Sequence, residues 1–219
     1  MIADDSGRYA GEALVAAAGV LPSPLLAARL AREHALVVGT DGAAAQLLAM
    51  GVHPDVVIGD MDSVGDAAER LELTGTIFVH RPSQEENDLE KAMTWLAARG
   101  MMQATVIGAG GGMIDHALNN FSVLARHAAT MRIAIRDDAS YGYFVHDHLR
   151  IRTHPGDRVS LIPLASARLT THGVQWELDG EELRLGGREG ASNRATAEEL
   201  SITVHEGMLL VVHYRGIMR

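Results

Sequence analysis

Apolar positions along this chain fall into two rhythms. Up to about residue 138, short apolar runs alternate with stretches whose apolar residues recur every three or four positions. The runs are 13–20, 35–39 (ALVVG), 56–58 (VVI), 75–80 (GTIFVH), 103–107 (QATVI) and 131–135 (MRIAI). Short apolar runs bounded by Gly or Pro predict strands buried on both faces. Between them the pattern predicts helices over 24–34, 43–50, 87–100 and beyond the glycine run at 108–112. In the third of these, Leu89, Ala92, Met93, Leu96 and Ala97 share one face. Asn87 is placed to cap it, with Glu90 three residues on and Gly100 as its stop. Asp88 then lies in the first turn, at the positive end of the helix dipole. In the helix after the glycines, Leu118, Phe121, Leu124 and Ala125 are expected to face inward. Strands alternating with helices predict an α/β domain with a mostly parallel, Rossmann-like sheet.

Beyond residue 138 the rhythm shortens. Strand-like segments fall at 141–146, 149–153, 159–162, 167–171, 174–178, 182–185, 200–204 and 208–213. Turn signals separate them: Pro155-Gly156-Asp157, Asp179-Gly180, Gly186-Gly187 and Glu206-Gly207. Asp179-Gly180 between Leu178 and Glu181 predicts a two-residue hairpin. No helical pattern follows Arg136. The expectation is an α/β domain over 1–138 and an all-β sandwich domain over 139–219, with the boundary near 137–141.

Composition narrows the function classes. The 219 residues are 47% apolar and 21% charged, ordinary for a soluble globular chain. A net charge of −9 argues against a nucleic-acid partner, which needs clustered Lys and Arg. The absence of cysteine excludes disulfides and thiolate metal sites. Met1, Ile2, Ala3, Asp4 and Asp5 lack the basic start of a signal peptide, and Pro22, Pro24 and Arg29 interrupt the apolar segment 14–30. A cytoplasmic chain with no membrane association is expected.

The chemistry centres on VVIGDMDSV, residues 56–64. The strand ends at Gly59, and Asp60, Asp62 and Ser63 follow at its carboxyl end, where open α/β sheets bind ligands. Residues two apart in extended chain point to the same side, so both carboxylates can address one cation. Carboxylate oxygens beside a phosphate suit Mg²⁺. The run 35–39 likewise delivers Asp41, with Gly42 at the turn into the next helix. Gly110, Gly111 and Gly112 lie at a strand-to-helix junction, where backbone N–H groups cradle anions. A dinucleotide fingerprint is not met: position 113 is Met, and no acid lies about 20 residues on. Asp115 and His116 open the next helix. Asp41, Asp60, Asp62 and Asp88 gathered at one sheet edge would raise one another's pKa values unless a cation joined them. His146-Asp147-His148 reads as a surface turn, and Met50, Met93 and Met101 as core filler.

The segments TDGAAAQLLAMGVHPDVVIGDMDSV, NDLEKA, GAGGGMIDHALNN, VSLIPL, VQWEL and SN, in this order from about Leu14 to Val212, resemble the motif series of thiamine pyrophosphokinases. The resemblance implies a nucleotide domain and a β-sandwich domain. It implies a homodimer with active sites at the subunit interface. It also implies transfer of the β,γ-diphosphate of ATP to the thiamine hydroxyl with Mg²⁺, releasing AMP. By resemblance Asp41, Asp60, Asp62 and Asp88 hold metal, with Asp60, Asp62 and Asp88 central to catalysis. Gly42, Ser63, Lys91, Gly110, Gly111, Gly112, Asp115 and His116 lie along the ATP, and Trp176, Ser192 and Asn193 meet thiamine.

Three departures stand out. The family's D-G-G-A-N reads Asp41, Gly42, Ala43, Ala44, Ala45 here. Its D-x-T-D reads Glu85, Glu86, Asn87, Asp88, and its G-G-R-x-D-H reads Gly111, Gly112, Met113, Ile114, Asp115, His116. Methionine cannot replace the bidentate phosphate donation of arginine. Two alternatives stay open at this point: a same-fold diphosphokinase acting on another alcohol such as a hydroxymethylpterin, and a binding homologue with impaired turnover.

Overall fold

The structure, a computed structural model, describes residues 10–215; the N-terminal stretch read for a signal peptide lies outside them. It divides into two compact units, Met1–Asp138 and Ala139–Arg219.

The first unit alternates strand and helix: β1 (Ala13–Ala16), α1 (Pro24–Glu33), β2 (Leu36–Thr40), α2 (Asp41–Ala49), β3 (Val56–Gly59), α3 (Ala67–Leu73), β4 (Ile77–His80), α4 (Asp88–Ala98), β5 (Gln103–Ile107), α5 (Ile114–Ala128) and β6 (Arg132–Arg136). Its sheet runs β6-β5-β1-β2-β3-β4, with every pair parallel. Every residue of β1, β2 and β3 is buried, as expected of central strands covered on both faces. One layer packs Leu14, Leu26, Leu30, Val37, Leu47 and Ile107 together; another packs Ala44, Leu48, Val57, Val64 and Leu71. Met93 and Met101 are fully buried, and Met50 packs half-buried against the first layer.

Two corrections concern this unit. Helix α3 is absent from the sequence expectation, because Leu71 is its one buried residue and no apolar stripe marks it. Leu118, expected inward, is 66% exposed; α5 buries Val123, Leu124 and Ala128, so its apolar stripe begins a turn later.

The second unit contains β7 (Ser140–Val145), β8 (His148–Arg152), β9 (Arg158–His172), β10 (Glu181–Arg184), β11 (Gly190–Arg194) and β12 (Glu199–Tyr214). All its pairings are antiparallel: β12 pairs with β7, β8 and β9, and β9 also with β10 and β11. Val159, Leu161, Leu169, Leu200, Ile202, Leu209 and Val211 fill its core.

Here four segments read as separate strands are two long ones. Residues 159–162 and 167–171 belong to β9, and 200–204 and 208–213 to β12. The Glu206-Gly207 signal is a bulge in β12, with register shifts between Val204 and Glu206 and between Gly207 and Leu209. Gly207 has φ +80°, and a Cβ there would lie 2.1 Å from the Ser166 carbonyl oxygen. Pro163 of β9 sits opposite Leu209, beside this irregularity, where a missing N–H is tolerated. Residues 174–178 form no strand beyond a single bridge from Val174 to Ala195. Asp179-Gly180 therefore closes a longer β9–β10 connection rather than a two-residue hairpin; Gly180 N–H donates to Thr170 Oγ1 at 3.0 Å. The stretch 190–194, given no strand in the sequence reading, is β11. His146 and Asp147 are an exposed turn and His148, also exposed, opens β8, bonded to Thr203 and Arg150.

Candidate active site

Strand β1 has β2 on one side and β5 on the other, so the chain winds away from it in both directions. The carboxyl edge of the sheet at such a switch point forms a crevice. A cleft of about 440 Å³ lies there, lined from β1 by 17–19, from the β2 end by Thr40, Asp41 and Gly42, and from the β3 end by Asp60 and Ser63. The loop before α4 adds Gln84, Glu86 and Asn87; α4 adds Asp88 and Lys91; the glycine loop and α5 add Gly111, Gly112, Met113, His116 and Asn120.

Three carboxylates converge. Asp41, Asp60 and Asp62 each bring an oxygen to within 4.8 Å of the others. Their positions follow from the strands that end beneath them. Gly59 is required for this approach: a Cβ there would stand 2.7 Å from Asp41 Cγ. Asp88 flanks the trio. Its Oδ1 accepts from Lys91 Nζ at 2.8 Å, and Lys91 is buried. Asn87 Oδ1 caps α4 by accepting from Glu90 N–H at 2.8 Å, as its spacing predicts.

The acids differ in their proton affinity. Burial, and then the hydrogen bond and negative charge of neighbouring Asp88, push Asp41 up to about 7. Asp41 is 2% exposed, and its Oδ2 is buried without a hydrogen-bond partner. Asp60 is half-buried and is held below the usual carboxylate range, chiefly by Gln84 Nε2 donating to its Oδ2 at 2.8 Å. Ser63 Oγ donates to Asp62 Oδ1 at 2.8 Å. A buried carboxylate oxygen with no partner, on a residue clustered with two further carboxylates, fits a hard divalent cation with oxygen ligands.

Some expected residues stand elsewhere. Gly110 does not line the cleft; its carbonyl accepts Val20 N–H at 2.9 Å. Asp115, in the first turn of α5, is exposed and outside the lining. Thr40, Gln84 and Asn120 line the cleft without having been singled out from the sequence. Thr40 Oγ1 is a second buried oxygen without a partner.

The second unit has its own hollow of about 250 Å³, lined by Trp176, Leu178, Leu183, Gly190 and Asn193 among others. Trp176 is 58% exposed, which excludes a core role for its ring. Asn193 is buried and spends its amide on the Trp176 backbone: Oδ1 accepts from Trp176 N–H at 3.2 Å, and Nδ2 donates to Trp176 O at 2.9 Å. It therefore acts through Trp176. Ser192, at φ +63°, donates its N–H to Ser160 Oγ and lies outside the hollow's lining.

Two family models match consecutive parts of the chain: "Thiamin pyrophosphokinase, catalytic domain" over 27–135 and "Thiamin pyrophosphokinase, vitamin B1 binding domain" over 148–209. The chain belongs to the thiamine pyrophosphokinase family.

Among relatives of this family, thiamine pyrophosphokinase 1 of Arabidopsis thaliana is 30% identical over 173 residues, 73% of this chain and 65% of that protein. The chain thus spans just under two thirds of the length of that relative. Thiamine pyrophosphokinase of Bacillus subtilis is 25% identical over 187 residues, 82% of this chain and 87% of that protein. The crystal structure of a Bacillus subtilis thiamine pyrophosphokinase superposes with a TM-score of 0.81 at 23% identity, covering 94% of this chain and all of that one. The fold is shared with that of Candida albicans too, at TM-score 0.78 and 14% identity.

Against the family's motifs, the cleft is poor in cations. Lys91 is the one Lys or Arg among its lining residues, and it is already paired with Asp88. Met113 stands on the lining where the family carries Arg, and Arg81 does not line the cleft. Ala45, at the family's Asn position, is exposed on α2 and outside the lining.

Proposed function

We propose that this protein is a thiamine diphosphokinase: the thiamine hydroxyl oxygen bonds to the β-phosphorus of ATP, the bond from that phosphorus to the α-phosphate oxygen breaks, and AMP leaves. The observation that carries this is the convergence of Asp41, Asp60 and Asp62 within 4.8 Å, at the switch point of a family sheet. Asp41, Asp60 and Asp62 would hold Mg²⁺, with Asp88 beside them. Bound Mg²⁺ neutralises charge on the transferred phosphates. The chain's residues position. Gly111 and Gly112 line the cleft and would give their N–H groups to phosphate, and Lys91, paired with Asp88, lines it from α4. Gly42, Ser63 and His116 line the nucleotide path. Incubation with ATP, Mg²⁺ and thiamine is expected to yield AMP and thiamine diphosphate in equal amounts. ADP as co-product, or AMP formed with a hydroxymethylpterin and not with thiamine, would overturn this assignment.

Binding without turnover is the second reading, and Met113 favours it. It predicts calorimetric heats for nucleotide with no AMP formed on long incubation.

Trp176 is proposed to stack on the cationic thiazolium, an arrangement worth about 1–2 kcal/mol for a desolvated ring. Trp176→Ala is then expected to raise KM for thiamine about tenfold and leave KM for ATP unchanged; an unaltered thiamine KM would remove Trp176 from the site. The chain is further proposed to act as a homodimer with active sites at the subunit interface. Exposed Met113, Ile114 and Leu118, on one side of α5, support an apolar contact surface. Light scattering in solution should give twice the chain mass, and a monomer at working concentration contradicts the proposal. Among the described residues no helix is long and apolar enough to cross a membrane.

A further inference from the structure

Three separate stretches meet through two asparagine side chains at the cleft. Asn87 Oδ1 caps α4, while its Nδ2 donates to Asn120 Oδ1 at 3.1 Å. Asn120, one turn and a half into α5, donates its own Nδ2 to the Ala109 carbonyl at 3.1 Å. Ala109 is buried in the glycine loop, between Gly108 and Gly110, whose carbonyls accept the N–H groups of Gly19 and Val20. A continuous line of directed bonds thus runs from the start of α4 through α5 to the glycine loop and on to the β1 end.

What the line joins gives it meaning. At one end, Asp88 and Lys91 sit in the first turns of α4. At the other, Gly111 and Gly112 line the opposite wall of the same cleft. Both asparagines are themselves part of the lining. Farther along α5, Arg126 also donates to Glu90 in the first turn of α4 at 2.6 Å, but that ion pair does not reach the glycine loop. An amide pair suits this task because each asparagine supplies a donor and an acceptor at once, so the chain of bonds has one sense from cap to loop. It carries no charge into a cleft already crowded with carboxylates. A methionine at 113 leaves the loop wall without a cation to grip phosphate, so the spacing of its backbone N–H groups from Lys91 gains in importance.

We propose that Asn120, coupled to Asn87, is a positioning residue that sets the width of the phosphate-binding cleft between Lys91 and the glycine loop. This rests on the diphosphokinase reading for its substrate, but the bond line is independent of it. Indirect support of this kind, when lost, costs about 10–100-fold in affinity or activity, since small displacements at the reacting phosphates are costly.

The test is a pair of variants and their combination. Asn120→Ala removes both the acceptor for Asn87 and the donor to Ala109. Asn87→Thr keeps a side-chain oxygen to cap α4 but has no amide donor to reach Asn120. Each is expected to raise the Kd for Mg²⁺–ATP, and KM for ATP where turnover is present, by about tenfold, with KM for thiamine unchanged. The double variant should lose little more than either single one, because both cut the same line. Losses that multiply, or nucleotide affinity unchanged in Asn120→Ala, overturn the proposal; so does an equal rise in both KM values, which marks general loosening. Amide hydrogen exchange separates its failure from that of the functional reading. Exchange at 88–91 and 108–112 should accelerate together in Asn120→Ala even if the protein forms no AMP, and acceleration at only one of the two stretches refutes the coupling.

Discussion

Asp60→Ala is expected to reduce AMP formation by about a thousandfold while leaving the fold intact. Asp60 is half-buried in the turn after β3 and belongs to none of the hydrophobic clusters of the core. What it provides is a carboxylate that stays ionised, held so chiefly by Gln84. Asp41 cannot take over, because its buried carboxyl group is half protonated near pH 7. Asp62 is then the one exposed carboxylate left in the trio, and a single carboxylate holds Mg²⁺ weakly. Removal of a preorganised electrostatic partner costs about 10²–10³ in rate, and loss of one ligand of the proposed metal sits at the upper end of that range. The measurement is AMP formed at saturating ATP and Mg²⁺, alongside circular dichroism and the Mg²⁺ affinity by calorimetry. Wild-type Mg²⁺–ATP affinity in Asp60→Ala would refute the placement of the metal site.

Proton competition at Asp41 gives the second large effect. Its pKa of about 7 means that binding a divalent cation displaces a proton below that pH. With ordinary single-site linkage, Mg²⁺ affinity should weaken about tenfold between pH 8 and pH 6. Asp60 is depressed and stays ionised throughout this window, so it adds nothing to the slope. The effect on stability has the opposite sense for the metal-free protein. Folded Asp41 keeps its proton up to about pH 7, whereas the unfolded carboxyl group releases it near 3.8. The folded state therefore binds more protons between those values, and stability falls as pH rises from about 4 through 7. Mg²⁺ should offset that fall, so the melting temperature in Mg²⁺ minus that in EDTA should grow from pH 5 to pH 8. A Mg²⁺ affinity flat from pH 6 to pH 8 contradicts the burial of Asp41 at the metal.

The α/β half was legible because its central strands β1, β2 and β3 are buried along their whole length and so read as unbroken apolar runs. Asp41, Asp60 and Asp62 could be placed at one edge from strand ends alone. Helix α3 was not legible, since one leucine anchors it. The β half misled through glycine and proline: Gly207 and Pro163 signal breaks in most sequences, and here they sit at bulges inside continuous strands. Asn120 and Gln84 carried no local signal, because their partners lie 33 and 24 residues away and only the fold brings them together. The hollow beside Trp176 was reached through resemblance; from periodicity alone an indole between Val174 and Leu178 reads as core.

Strand β12 pairs with three neighbours, and one of them, β9, carries the remaining two strands of its unit. The core of that half, which includes Leu200, Ile202, Leu209 and Val211 of β12, is therefore incomplete until its last strand is made. Before it arrives, a nascent chain offers β9 with an open, fifteen-residue edge. That edge is covered only when β12 pairs along it, from Ser201 opposite His172 to Tyr214 opposite Arg158.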